Sequence, residues 1–134
     1  MQFLKQLLAV AAIAVSSLAL AEPGITENSL TLGMTSPFSR PHGAYGNEMR
    51  QVIQAYFDQV NKSGGVNGRK INLVALDDGY ETDRAVSNTR ILISEKNAFA
   101  LLASYGSSPT TDAMNKVFGP ARVPLVGTIS GAGS

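Results

Sequence analysis

The sequence predicts an α/β fold, in which a parallel sheet is covered by helices on both faces. Short apolar segments alternate along the chain with segments of helical periodicity. Strands that are separated by helices pair in parallel, through right-handed crossovers. An apolar content of 44% with 16% charged residues indicates a folded chain and argues against disorder.

Residues 1–21 have the pattern of a cleavable signal peptide, and we expect residues 22–134 to form the folded part. Lys5 precedes an apolar run that closes with the small residues Ala19 and Ala21. A buried helix and a membrane anchor are the alternatives, but the run is shorter than the roughly 20 apolar residues that span a bilayer. Because the chain has no cysteine, a lipid-anchored form is not expected.

The first half of the folded part predicts two strands with a helix between them. Residues 30–35 are compatible with a strand, and residues 71–76 form the nearly continuous apolar run typical of a strand buried on both faces. Residues 44–61 predict an amphipathic helix. Its expected buried face consists of Met49, Val52, Ile53, Tyr56 and Val60.

The second half predicts two more helices and two more strands. Thr82 is expected to cap a helix that ends near Lys96, and Ser108 to cap a helix that Gly119 and Pro120 end or fray. The expected third and fourth strands are residues 99–102 and 123–126. The expected buried face of the second helix is Ala85, Val86, Thr89, Leu92 and Ile93, and that of the third is Ala113, Met114, Val117, Phe118 and Ala121.

The sheet predicts where a ligand would bind. With strand order 2-1-3-4, the winding direction reverses between the first and third strands, and open parallel sheets bind ligands beyond the carboxyl ends of the strands at that point. The loops there are residues 36–45, 104–109 and 128–134, and all three are rich in glycine and hydroxyl groups.

These loops contain the candidate ligand-binding residues. The Ser107 hydroxyl and the amides of Thr110 and Thr111 suit a small anion such as a carboxylate, with ordinary helix capping as the alternative. The segment Ser130-Gly131-Ala132 can bring backbone groups and a hydroxyl close to the same ligand. Tyr45 can cover an aliphatic or amine-bearing ligand, or it can be a half-buried surface aromatic.

Other polar residues near these loops are expected to be solvated. His42 has no partner carboxylate or second metal ligand near it in the sequence. Arg40, Asp77 and Asp78 are expected to be solvated or helix-dipole charges.

Enzyme and nucleic-acid classes are disfavoured. The chain lacks the glycine motifs of dinucleotide and P-loop sites and the G-x-S-x-G motif of hydrolases. With 11 Lys and Arg against 10 Asp and Glu, it has no basic excess for nucleic acid. We expect no metal and no cofactor, and the sequence favours binding without chemical conversion.

Several segments together resemble the leucine/isoleucine/valine-binding protein family, the type I periplasmic solute-binding proteins of ABC transporters. They occur in the same order and with similar spacing, over nearly the whole chain after residue 21. These segments are Gly65-Val66-Asn67-Gly68-Arg69-Lys70-Ile71, Asp77-Asp78-Gly79-Tyr80, Tyr105-Gly106-Ser107-Ser108-Pro109-Thr110, Val123-Pro124-Leu125-Val126 and Ser130-Gly131-Ala132.

The resemblance implies a fold, a site and partners. The family has two α/β lobes that close over a small solute, and residues 22–134 match the N-terminal part of the first lobe. Ser107 matches the serine that holds the ligand carboxylate, Ser130 and Ala132 match positions that hold its carboxylate and ammonium, and Tyr45 matches an aromatic that lines the pocket.

By the same resemblance, the expected function is capture of a branched-chain amino acid or a similar amide or small carboxylate for import. The expected partners are that solute and a membrane permease, and the expected form is a periplasmic monomer. A ligand-sensing domain of a receptor or regulator with the same fold is the alternative. The chain departs from the family pattern at Pro109 and in the loop around Arg40 and His42.

Overall fold

The structure, a computed structural model, describes residues 22–39 and 41–131. The expected signal peptide, Arg40 and Ala132 lie outside the described residues. The chain order of the elements is β1 (Ser29–Ser36), α1 (Gly43–Lys62), β2 (Lys70–Asp77), α2 (Thr82–Ser94), β3 (Ala100–Leu102), α3 (Ser107–Ala113) and β4 (Leu125–Val126). A π-helical turn, Met114–Phe118, continues α3.

The strands form one parallel sheet in the order β2-β1-β3-β4, which confirms the predicted order. Along the whole length of β1, residues pair with β2, from Ser29 with Lys70 to Ser36 with Asp77. β3 pairs with β1 and with β4 over shorter stretches. The reversal of the winding therefore lies between β1 and β3, as the sequence predicts.

The helices lie on opposite faces of the sheet, as neighbouring residues of β3 show. Leu101 belongs to a core shared with α2 and α3, whereas the next residue, Leu102, contacts the groove beside α1. Adjacent residues of a strand point to opposite faces. The buried core residues on the first face are Val86, Leu92, Ala98, Leu101, Ala113 and Phe118.

The predicted inner face of α2 is confirmed, but both predicted caps are wrong. Thr82 is the first residue of α2, after Glu81, and no side chain caps either α2 or α3. α3 begins at Ser107, one residue before the predicted cap Ser108, because Gly106 takes a left-handed φ of 99° and makes the turn.

The predicted inner faces of α1 and α3 are only partly correct. Val52 and Tyr56 of α1 are 71% and 64% exposed. They border an apolar groove of about 770 Å³ between α1 and the ends of β3 and β4, and no described element covers it. On the third helix, Met114 and Ala121 are exposed, because the π-helical turn shifts the buried face.

Candidate functional site

Asp77, the last residue of β2, holds the loop between β1 and α1. Its carboxylate oxygen Oδ1 accepts hydrogen bonds from the backbone N–H groups of Phe38 (2.7 Å), Ser39 (3.2 Å) and Gly79 (3.0 Å). Desolvation raises the pKa of Asp77, but these hydrogen bonds outweigh it and hold the pKa below its ordinary value. Asp77 is therefore a structural anchor: it stays partly exposed, as expected, and it also holds the backbone of the loop.

Asp78 points to the interior and is 1% exposed. Its carboxylate accepts the Thr35 hydroxyl at 2.9 Å and the Tyr80 N–H at 2.8 Å. Desolvation raises the pKa of Asp78 above its ordinary value, against the lowering effect of these two hydrogen bonds. Asp78 thus fixes the backbone of Tyr80, and it is not the solvated residue that the sequence suggests.

The chain segments that follow β3 and β4 continue side by side to the edge of the sheet. Ile129 donates its N–H to the Ser104 carbonyl at 2.9 Å, and the Gly106 N–H donates to the Ile129 carbonyl at 2.9 Å. This pairing brings Ser107 to Ser130, and their hydroxyl oxygens are 3.0 Å apart. Two hydroxyls that can each donate and accept therefore meet at the carboxyl edge of the sheet.

A small cavity of about 120 Å³ lies at this hydroxyl pair. Three chain segments line it, one after each of β2, β3 and β4. None of the described residues that line it has a charged side chain. They are Tyr80, Tyr105, Gly106, Ser107, Ile129, Ser130 and Gly131.

Aromatic rings surround this cavity. Tyr105 stacks on Tyr45 with ring centroids 5.8 Å apart and planes 13° apart, and its centroid lies 5.7 Å from that of Tyr80. The His42 ring is 4.3 Å from Tyr80 and 6.4 Å from Tyr105. His42 is half-buried among these rings, so the expectation of a solvated loop histidine is wrong.

The structure brings three of the six predicted site residues to the cavity. Ser107, Ser130 and Gly131 line the cavity, whereas Tyr45 does not line it but stacks on the lining residue Tyr105. Thr110 does not line the cavity, because its polar groups form hydrogen bonds within the protein. Its hydroxyl lies 2.9 Å from that of Ser104, and its N–H donates to the Gly106 carbonyl, so this amide is not available as predicted.

Sequence analysis missed Tyr80 and Tyr105. Both lie in segments quoted for the family resemblance, yet neither was considered as a site residue. Their positions in the sequence are a signal for a site role, because each tyrosine closely follows the carboxyl end of a predicted strand.

The arrangement can bind a small ligand, and its described side chains supply polar and aromatic contacts. In residues 22–39 and 41–131 no group of three or more acidic, histidine or cysteine side chains could hold a metal ion. Hydroxyl groups in an uncharged cavity can donate to a carboxylate or an amide oxygen.

Comparison with known proteins identifies the family. Residues 29–134 match the family model described as periplasmic binding protein. The chain is 31% identical over 87 residues to Leu/Ile/Val-binding protein BraC3 of Rhizobium johnstonii, covering 65% of this chain and 23% of that protein. It is 30% identical over 107 residues to an amino acid binding protein of Pseudomonas aeruginosa, covering 78% of this chain and 28% of that one.

A solved structure agrees with the predicted fold. The branched-chain amino acid transporter substrate binding protein LivJ of Streptococcus pneumoniae, in complex with isoleucine, superposes with a TM-score of 0.70 and 28% identity. The match covers 75% of this chain and 28% of LivJ. The chain thus spans about a quarter of the length of its relatives. Sequence and structure agree that the chain belongs to the periplasmic binding protein family.

Proposed function

We propose that this chain belongs to the solute-binding component of an ABC importer and that it captures an amino acid or a similar small carboxylate or amide. The observation that carries the proposal is the hydroxyl pair of Ser107 and Ser130 in an uncharged cavity at the carboxyl edge of the sheet. Relatives named for binding leucine, isoleucine and valine, and a neighbour in complex with isoleucine, support it.

The chemistry of the cavity fits one end of such a solute. The Ser107 and Ser130 hydroxyls can each turn from one another to donate to a ligand carboxylate, which replaces hydrogen bonds that the carboxylate makes with water. The rings of Tyr80 and Tyr105 offer apolar faces for the rest of the solute. No step that makes or breaks a covalent bond is part of the proposal.

The rest of the proposal concerns the export of the protein, its partner in the membrane and its closure around the solute. The pattern of residues 1–21 supports secretion to the periplasm, where the proposed form is a monomer. There the solute would stabilise a closed form of the full-length protein, by as much as it prefers that form, and a membrane permease would receive it.

The proposal predicts ligand-dependent stabilisation that needs Ser107. In a thermal-shift screen of the full-length protein against amino acids, amides and small carboxylates, at least one solute should raise the melting temperature. Ser107→Ala should weaken the affinity for that solute by at least about tenfold, because a hydrogen bond to a charged group contributes about 1.5–3 kcal/mol.

Ser108→Ala is the matched control, since Ser108 is the exposed neighbour of Ser107 and does not line the cavity. It should bind like the wild type. A wild-type protein whose melting temperature responds to no solute in the screen contradicts the proposed function. Equal effects of the two alanine substitutions contradict the role of Ser107.

A further inference from the structure

The backbone of Tyr80 is held in an unusual conformation. Its φ of 68° is left-handed, which is costly for a residue with a bulky side chain. Its N–H donates to the Oδ1 atom of buried Asp78 at 2.8 Å. Strain of this kind persists only where the surroundings fix the residue, and it is concentrated at functional sites.

The Tyr80 ring is also fixed, because it rests on Gly106. A Cβ atom at Gly106 would lie 2.5 Å from the Cε2 atom of Tyr80, so the ring occupies the space that any other residue would need. His42 packs on the ring at 4.3 Å and Tyr105 at 5.7 Å, measured between centroids. The ring is therefore supported by three neighbours, while 39% of the residue stays exposed.

The Tyr80 ring borders the same cavity as Ser107. A ligand whose carboxylate reaches the Ser107 hydroxyl would have its remaining atoms near this ring. The cavity holds about 120 Å³, roughly the volume of four water molecules. A fixed ring at one wall of so small a space sets a limit on what fits beside it.

We infer that Tyr80 is a specificity-determining residue, whose ring limits the size of the ligand side chain that the site accepts. This inference rests on the proposed function. None of the described residues that line the cavity has a charged side chain, so a charge on the ligand side chain, unlike the carboxylate that the hydroxyls hold, would lose hydration there without gaining a partner from them. The ring therefore selects among apolar side chains by their size.

The test uses the full-length protein and three amino acids of increasing size, alanine, leucine and phenylalanine, with affinities measured by calorimetry. Tyr80→Ala removes the ring that forms one wall of the cavity. It should raise the affinity for phenylalanine relative to that for alanine by at least about tenfold, because a single change of size in an apolar pocket changes affinity by about 10- to 200-fold. Tyr80→Phe keeps the ring and should keep the wild-type ratio.

Tyr56→Phe, on the exposed side of α1, is the control for loss of a tyrosine hydroxyl elsewhere. Should Tyr80→Ala fail to fold, Tyr80→Leu removes part of the bulk of the ring, and a smaller shift of the ratio in the same direction is expected. An unchanged ratio, or an equal loss of affinity for all three amino acids, overturns the inference. If the wild type binds none of the three amino acids, the inference about Tyr80 is overturned. The thermal-shift screen with the wider set of solutes then tests the proposed function separately.

Discussion

Asp77 and Asp78 are adjacent residues with the same side chain, yet the pKa values of their carboxyl groups are shifted in opposite directions. Asp77 receives three backbone hydrogen bonds at the half-buried end of β2, and these favour its charged form. Asp78 is buried in the interior, where desolvation favours its neutral form. Asp77 ends β2 and Asp78 follows it, and the two side chains point in different directions, so that Asp77 holds the β1–α1 loop and Asp78 holds Tyr80.

Asp77→Ala should lower the free energy of unfolding by about 1–3 kcal/mol at neutral pH, because it removes the shared acceptor of three N–H groups. The folded pKa of Asp77 lies below its unfolded value, so its contribution is present above the unfolded value of about 3.9 and is lost as the pH falls through the folded value. Urea unfolding of the full-length protein at pH 7 and pH 3 measures both effects.

Asp58→Ala, at an exposed position of α1, is the control and should change stability little. The assignment of Asp77 is contradicted if Asp77→Ala is as stable as the wild type at pH 7. A destabilisation that stays the same at pH 3 would also contradict it.

The serines of the site and the position of its tyrosines after strands were predictable from the sequence, but the packing of the aromatic rings was not. Ser107 and Ser130 follow predicted strands, and parallel strands bring such positions to one edge. The meeting of Tyr80 with His42 depends on a left-handed turn and on packing between distant segments. Local sequence patterns predict neither this left-handed turn nor the packing between distant segments.

At the scale of elements, hydrophobic periodicity predicts which segments form strands and helices, but it does not predict the residues at which they end. The strand predicted at residues 123–126 is only Leu125–Val126, and the helix expected to end or fray at Gly119 and Pro120 becomes π-helical at Met114–Phe118. Where an element ends depends on tertiary packing and on individual hydrogen bonds, such as that from the Gly119 N–H to the Met114 carbonyl.

The start of α1 packs unusually close to the loop that Asp77 anchors. A Cβ atom at Gly46 would lie 1.8 Å from the carbonyl oxygen of Pro37. Replacing glycine by alanine in an exposed helix interior stabilises it by about 1 kcal/mol, but Gly46→Ala should instead destabilise by about 1–3 kcal/mol because of this overlap. Urea unfolding of the full-length protein measures whether Gly46→Ala raises or lowers the free energy of unfolding.

Gln51→Ala, at an exposed position of the same helix, provides the comparison and should be neutral or slightly stabilising. A stabilising Gly46→Ala would show that α1 does not rest on the Pro37 backbone. The placement of the β1–α1 loop at the edge of the site would then be wrong.

For the whole molecule, the apolar groove beside α1 exposes several large apolar side chains of the described residues. Val52, Tyr56 and Val126 each leave more than 60% of their surface exposed there. Apolar surface of this kind promotes association, and β4 is an edge strand of the sheet within the described residues, so its outer backbone groups add to this tendency.

Expressed by itself, the polypeptide of residues 22–134 should therefore bind the apolar dye ANS and self-associate. Val126→Lys should reduce both, because it places a charge in the groove and at the sheet edge. ANS fluorescence and sedimentation velocity measure the two effects. Gln51→Lys adds the same charge outside the groove and should change neither; a wild-type polypeptide that stays monomeric and binds no dye contradicts this prediction.

The location of the bound solute tests the central claim most directly. A crystal structure of the full-length protein, grown with the solute that gives the largest thermal shift, should show a ligand oxygen at 2.5–3.0 Å from the Ser107 Oγ atom, the range of an O–H···O hydrogen bond. The ligand side chain should lie against Tyr80. A solute bound elsewhere, with the Ser107 and Ser130 hydroxyls still paired to each other, would contradict the account.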